Sequence, residues 1–160
     1  MRELEFRKFE GNDIPIFQPI AQAAFNTDSQ LHLKLDTGPP GYDSDSYLKR
    51  WFLSPKVHAT AIYLNEEPIG AYSLKTNENN ETILGSLFIA PTHHGKVLGV
   101  EIWQHIEESY PNTAVWKVDT PSFSTRNHHF YMDKLGFKLD EISGEEPAAI
   151  YYFSKKRREI

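Results

Sequence analysis

The six residues His94-Gly95-Lys96-Val97-Leu98-Gly99 carry two glycines and a lysine at a turn that follows an apolar run and opens a helix. The first backbone N–H groups of a helix have no partner inside it, and the macrodipole adds partial positive charge at the same end. Together they form an anion site, for which a phosphate is the best ligand. Gly95 lets the backbone approach such a ligand closely, Lys96 adds a cation, and Gly99 lets the helix lie close to its strand. Strand, loop and helix with two glycines is also common in α/β proteins that bind nothing at that point. Two histidine pairs, His93-His94 and His128-His129, raise the question of a metal. Adjacent residues on a helix or strand point apart, so each pair supplies at most one ligand to a shared site, and no carboxylate stands at a supporting spacing. No metal is expected.

The elements that must hold these residues are legible. Ile83 to Ala90 is an apolar run stopped by Pro91, and helical spacing begins just after the turn. Leu98, Ile102 and Ile106, with Gly99, Trp103 and Tyr110, share one face of that helix, while Glu101, Gln104, Glu107 and Glu108 lie on the other. Pro111 ends it. A second stretch, Asn127 to Phe137, follows a short strand and reads as a helix over Arg126 to Leu135, closed by Gly136 and followed by another strand.

At these two places the sequence resembles the GNAT superfamily, the Gcn5-related N-acetyltransferases. The stretch His94 to Gly99 is similar to the family's acetyl-coenzyme A turn, with His94 where Gln or Arg is usual and Val97 where a glycine is usual. Asn127, Tyr131, Leu135, Gly136 and Phe137 resemble the family's Asn…Tyr…Leu-Gly-Phe segment. The resemblance implies an α/β fold with one N-acetyltransferase domain over 1–160. Its sheet is mixed and mostly antiparallel, with about seven strands, a parallel, splayed central pair and about four flanking helices.

The resemblance also assigns roles. The pantetheine arm of acetyl-CoA, the acyl-donor cosubstrate, would pair with backbone near Leu87, Phe88 and Ile89. Its pyrophosphate would lie on the amides of His94, Gly95, Lys96, Val97, Leu98 and Gly99, and Asn127 would bond the arm. Tyr131 matches the general acid for a departing thiolate, and as a residue alone it reads equally as core. An ammonium acceptor must lose a proton before it attacks. Glu81, Asp119, His128 and His129 are the candidates for that base, with Asp119 preferred. The implied activity is direct transfer of an acetyl group to a primary amine of a small molecule or peptide. The alternative, motivated by Val97 and His94, is a non-catalytic acyl-CoA sensor or interaction module of the same fold.

The rest of the chain agrees with one such domain. Leu4 to Phe9 alternates as an edge strand, and Asn12 or Asp13 caps a helix that ends near Asn26. Gln30 to Tyr42, with Gly-Pro-Pro-Gly, is a loop, after which Asp43 or Ser44 opens a helix carrying Tyr47, Leu48, Trp51 and Phe52. The resemblance places the acceptor wall here. Strands follow at Ala59 to Leu64, Pro68 to Lys75 and Thr82 to Ala90, the first two as a hairpin and the third with a bulge at Gly85. Later strands are read at Ala114 to Val118, Phe137 to Ile142 and Ala149 to Ser154.

A net charge of −5 argues against nucleic acid as a partner. No apolar run approaches the roughly 20 residues of a membrane helix, and the start lacks the apolar core of a secretion signal, so a cytoplasmic address is expected. A homodimer is compatible with the sequence. With no cysteine, no thiol nucleophile is available, and transfer must be direct or use another residue.

Overall fold

The computed structural model describes residues 3–32, 45–93, 98–122, 124–146 and 149–157. Among them the chain forms, in order, β1 (Leu4–Lys8), α1 (Ile14–His32), α2 (Asp45–Phe52), β2 (His58–Leu64), β3 (Glu67–Thr76), β4 (Glu81–Ile89), α3 (Leu98–Ser109), β5 (Val115–Pro121), α4 (Thr125–His129), β6 (Lys138–Ser143) and β7 (Ile150–Lys156). The strands make a seven-stranded sheet in the order β1-β2-β3-β4-β5-β7-β6, so the last two exchange places. β4 and β5 are parallel, as the intervening helix α3 requires, and β1/β2, β2/β3, β5/β7 and β6/β7 are antiparallel. This is the mixed sheet with four helices that the sequence predicts. The β4/β5 ladder covers Glu81–Leu84 against Val115–Val118, whereas β4 itself runs on to Ile89. The chain divides into two compact units, Met1–Lys75 with Gly85–His94, and Thr76–Leu84 with Gly95–Ile160.

In the first unit the β2–β3 hairpin turns at Asn65 and Glu66, whose φ values of 50° and 70° are those of a type I′ turn. α1 starts after a short 3-10 turn, Gly11–Asp13, in which Asp13 Oδ2 accepts from the Glu10 N–H at 2.8 Å. Asp13 thus reaches back to Glu10 rather than serving as the first cap itself. α1 continues to His32, past the expected end near Asn26. The reason is local: between Asn26 and Gly38 there is neither glycine nor proline to stop it. The Gly-Pro-Pro-Gly segment and the caps expected at Asp43 or Ser44 lie outside the described residues. Phe9, Phe17, Phe52 and Phe88 anchor this unit's core with Ile14, Leu48 and Ala71. The Phe9 ring lies 5.6 Å from Phe17 and 5.0 Å from Phe52, and each fully buried ring contributes about 1.5–3 kcal/mol. Gly70 has no alternative there, since a β-carbon on it would stand 2.2 Å from the Phe88 carbonyl oxygen.

In the second unit α3 buries Leu98, Ile102, Trp103 and Ile106, the face the spacing predicts. Trp103 meets Trp116 edge-on at 5.0 Å and Phe137 at 5.3 Å. Glu107 accepts from the Trp103 indole N–H and from Lys155 Nζ, tying the helix to β7. A β-carbon on Gly99 would lie 2.9 Å from the Phe130 ring, so the close approach this glycine allows is to Phe130 and not to a strand. The helix expected over Arg126 to Leu135 is also corrected. It is α-helical only over Thr125–His129 and then widens into a π turn, Phe130–Lys134, in which the Leu135 N–H bonds the Phe130 carbonyl at 3.2 Å. Gly136 ends it at φ 82°, the left-handed position that favours glycine.

Candidate active site

Tyr131 sits on the π turn, an element found most often where a helix carries a function. It is 6% exposed, packed between Phe130 and Phe137, each 5.6 Å away, with Phe153 at 6.3 Å. Among the described residues its phenol has no hydrogen-bond partner. Burial, and second the negative charge of Asp119, push its pKa well above the ordinary tyrosine value, so it stays protonated at any physiological pH. The phenol oxygen is not among the fully buried unpaired atoms of the described residues, so a ligand that brings its own acceptor can reach it.

Asp119 is on β5, opposite Tyr152 in the β5/β7 register. Its side chain is exposed on the residue scale, yet partial desolvation of the carboxylate raises its pKa above the usual range. The other three base candidates are otherwise engaged. His128 is buried, stacked on Tyr151 at 4.6 Å and 13°, with Nε2 3.0 Å from the Pro121 carbonyl oxygen. A carbonyl only accepts, so that nitrogen carries the hydrogen and cannot take a proton. His129 is exposed and meets Asp133 at 3.2 Å. Glu81 accepts from Asn77 Nδ2 at 2.9 Å and meets Lys117 at 3.2 Å, and these contacts, Asn77 first, lower its pKa. Asn127, half-buried, precedes Tyr131 by four residues.

Along β4, Leu87 and Ile89 are half-buried, while Phe88 points into the first unit's core. Gly85 and Ser86 both approach α2: a β-carbon on Gly85 would lie 3.4 Å from Trp51, and Ser86 Oγ is 2.8 Å from the Tyr47 hydroxyl. Burial alternates along β4 without a break through Gly85 and Ser86, so it carries no sign of the bulge expected at Gly85. Of the phosphate turn, Leu98 and Gly99 form the start of α3, and His94, Gly95, Lys96 and Val97 lie outside the described residues. The π turn was missed by sequence reasoning because one extra residue in a turn leaves no trace in the apolar spacing.

The profile described as Acetyltransferase (GNAT) family matches residues 25–137. The chain belongs to that family. It is 29% identical over 135 residues to the uncharacterized protein YrkN of Bacillus subtilis (strain 168), covering 84% of this chain and 72% of that one. The ribosomal-protein-S18-alanine N-acetyltransferase of Escherichia coli has the same fold, with a TM-score of 0.74 at 12% identity, covering 99% of this chain and 96% of that one. So does the PaiA N-acetyltransferase of Thermoplasma acidophilum, solved in complex with coenzyme A, with a TM-score of 0.75 at 16% identity over 96% and 99% of the two chains. No helix among the described residues is long and apolar enough to cross a membrane.

Proposed function

We propose that residues 1–160 act as one cytoplasmic acetyl-CoA-dependent N-acetyltransferase domain that transfers an acetyl group directly to a primary amine of a small molecule or peptide. The observation that carries this reading is Tyr131, its ring packed among aromatic rings and its phenol without a partner among the described residues, within a family of acetyltransferases. When a thioester is attacked by a neutral amine, the C–S bond breaks and the sulfur leaves as a thiolate. A protonated phenol stabilises that charge by donating to it, an assistance worth about 10² to 10⁴ in rate. The raised pKa of Tyr131 favours a hydrogen bond to the sulfur over full proton transfer. Asp119 accepts the proton that the attacking ammonium must lose, and a carboxylate of raised pKa is the better base.

The remaining roles follow the resemblance. Backbone groups of Leu87, Phe88 and Ile89 pair with the pantetheine arm, Asn127 bonds it, and the amides from His94 to Gly99, with Lys96, take the pyrophosphate. The β4/β5 ladder ends at Leu84, which supports a pairing role for the residues after it. The coenzyme A bound in the Thermoplasma relative supports the choice of donor.

Thiol release from acetyl-CoA, screened over polyamines, aminoglycosides, amino acids and peptide N-termini, tests the proposal, and release with at least one amine is expected. His94 and Val97, which depart from the family's turn, favour as second reading an acyl-CoA sensor or interaction module. Calorimetric binding of acetyl-CoA without thiol release on any amine selects the sensor, and no binding at millimolar ligand selects the interaction module.

A further inference from the structure

The proposed base stands in a row of three side chains that crosses the second unit's sheet. Asp119 on β5 pairs with Tyr152 on β7, and on its other side Tyr152 pairs with Glu141 on β6. Directly paired residues project from the same face of a sheet. The alternation that buries Val118 and Phe153 on one face leaves Asp119, Tyr152 and Glu141 exposed on the other. With strands about 4.8 Å apart, the two acidic residues stand about 10 Å from each other, and the ring between them is 39% exposed. The lysines of the adjacent row are taken, Lys117 by Glu81 at 3.2 Å and Lys138 by Asp140 at 3.8 Å. Among the described residues Asp119 and Glu141 have no ion-pair partner, and the Tyr152 phenol has no hydrogen-bond partner. One end of the row adjoins the reaction, because the charge of Asp119 is felt at the Tyr131 phenol, itself on a residue only 6% exposed.

We infer that this row seats the acceptor and selects a diamine: Asp119 holds the amine that reacts, the chain crosses the Tyr152 ring, and Glu141 pairs with the second ammonium. This rests on the acetyltransferase reading. The face of an aromatic ring attracts a cation, so Tyr152 favours a charged chain over a neutral one. A monoamine makes the contacts to Asp119 and Tyr152 and lacks the one to Glu141. Because the whole row is open to solvent, the acceptor reaches it without any rearrangement of the sheet.

The experiment measures thiol release with cadaverine and with pentylamine, which share a carbon chain and differ by one amine. It uses the full chain and its variants Glu141→Gln, Tyr152→Ala and Tyr152→Phe. The wild type is expected to show a KM for cadaverine about three- to fivefold below that for pentylamine, the scale of one exposed ion pair. Added salt should remove that preference. Glu141→Gln is expected to raise the cadaverine KM by the same factor and to leave the pentylamine KM unchanged. Tyr152→Ala should raise both about threefold, whereas Tyr152→Phe, which keeps the ring, should raise neither. The KM for acetyl-CoA stays unchanged in all three. A Glu141→Gln variant that leaves the cadaverine KM where it was, or raises both amines alike, overturns the inference and leaves the acetyltransferase reading standing. So does a wild type that releases thiol with other amines but not with cadaverine. A wild type that neither binds acetyl-CoA nor releases thiol with any amine removes both.

Discussion

Thr82 at the start of β4, with Thr76 and Thr113, and the tyrosine on the π turn all carry hydroxyls of the second unit, and the fold treats them in opposite ways. Thr82, fully buried, lies 3.0 Å from the Thr76 hydroxyl and 2.6 Å from that of Thr113, so it links the start of β4 to the end of β3 and to the segment before β5. Tyr131 is buried among aromatic rings and is given no partner among the described residues. The difference separates two uses of a buried polar atom. One is satisfied within the chain and holds it together, whereas the other is left without a partner among the described residues.

Mutations test whether the contrast is real. Tyr131→Phe should have the largest effect, lowering turnover by about 10² or more while leaving the melting temperature equal or higher; a stability loss without a rate loss would place it with the threonines. Thr82→Val should do the reverse, costing about 2 kcal/mol in denaturant unfolding through the two partners it strands, with turnover unchanged.

Asp119→Asn comes next. Its carboxylate is raised in the folded state, so the fold holds that proton more tightly than the unfolded chain does, and stability contributed by protonation grows as pH falls through the raised pKa. The variant should therefore be the more stable at neutral pH, and this advantage should fade in acid, where the wild type is itself neutral. Its kcat/KM should also lose an acid limb that in the wild type lies above the ordinary carboxylate range. The smallest effect is expected outside the contrast. Glu66→Gly relieves a non-glycine residue at φ 70° and should stabilise by about 0.5–1 kcal/mol.

Elements with strong periodicity were legible in the sequence. The buried face of α3 and the hairpin at Asn65-Glu66 follow from apolar spacing and from turn residues. The length of α1 was not legible, because an absence of helix breakers is a weaker mark than a cap. Nor was the exchange of β6 and β7, since pairing order depends on contacts far apart in sequence. At the site, motif residues pointed to Tyr131 and Asn127, and Asp119 was preferred among four candidate bases for its place at the end of a strand. What separated Asp119 from Glu81, His128 and His129 was the partners those three already hold. The unpartnered state of Tyr131 depends on tertiary packing and carries no sequence signal.

The central claim is that the Tyr131 phenol donates to the sulfur of coenzyme A. Thiolate absorbance of bound coenzyme A, titrated against pH in the wild type and in Tyr131→Phe, measures this directly. A donor to the charged form lowers a thiol's pKa, so the bound thiol should titrate at lower pH in the wild type than in the variant. Identical titrations in the two proteins would contradict the account.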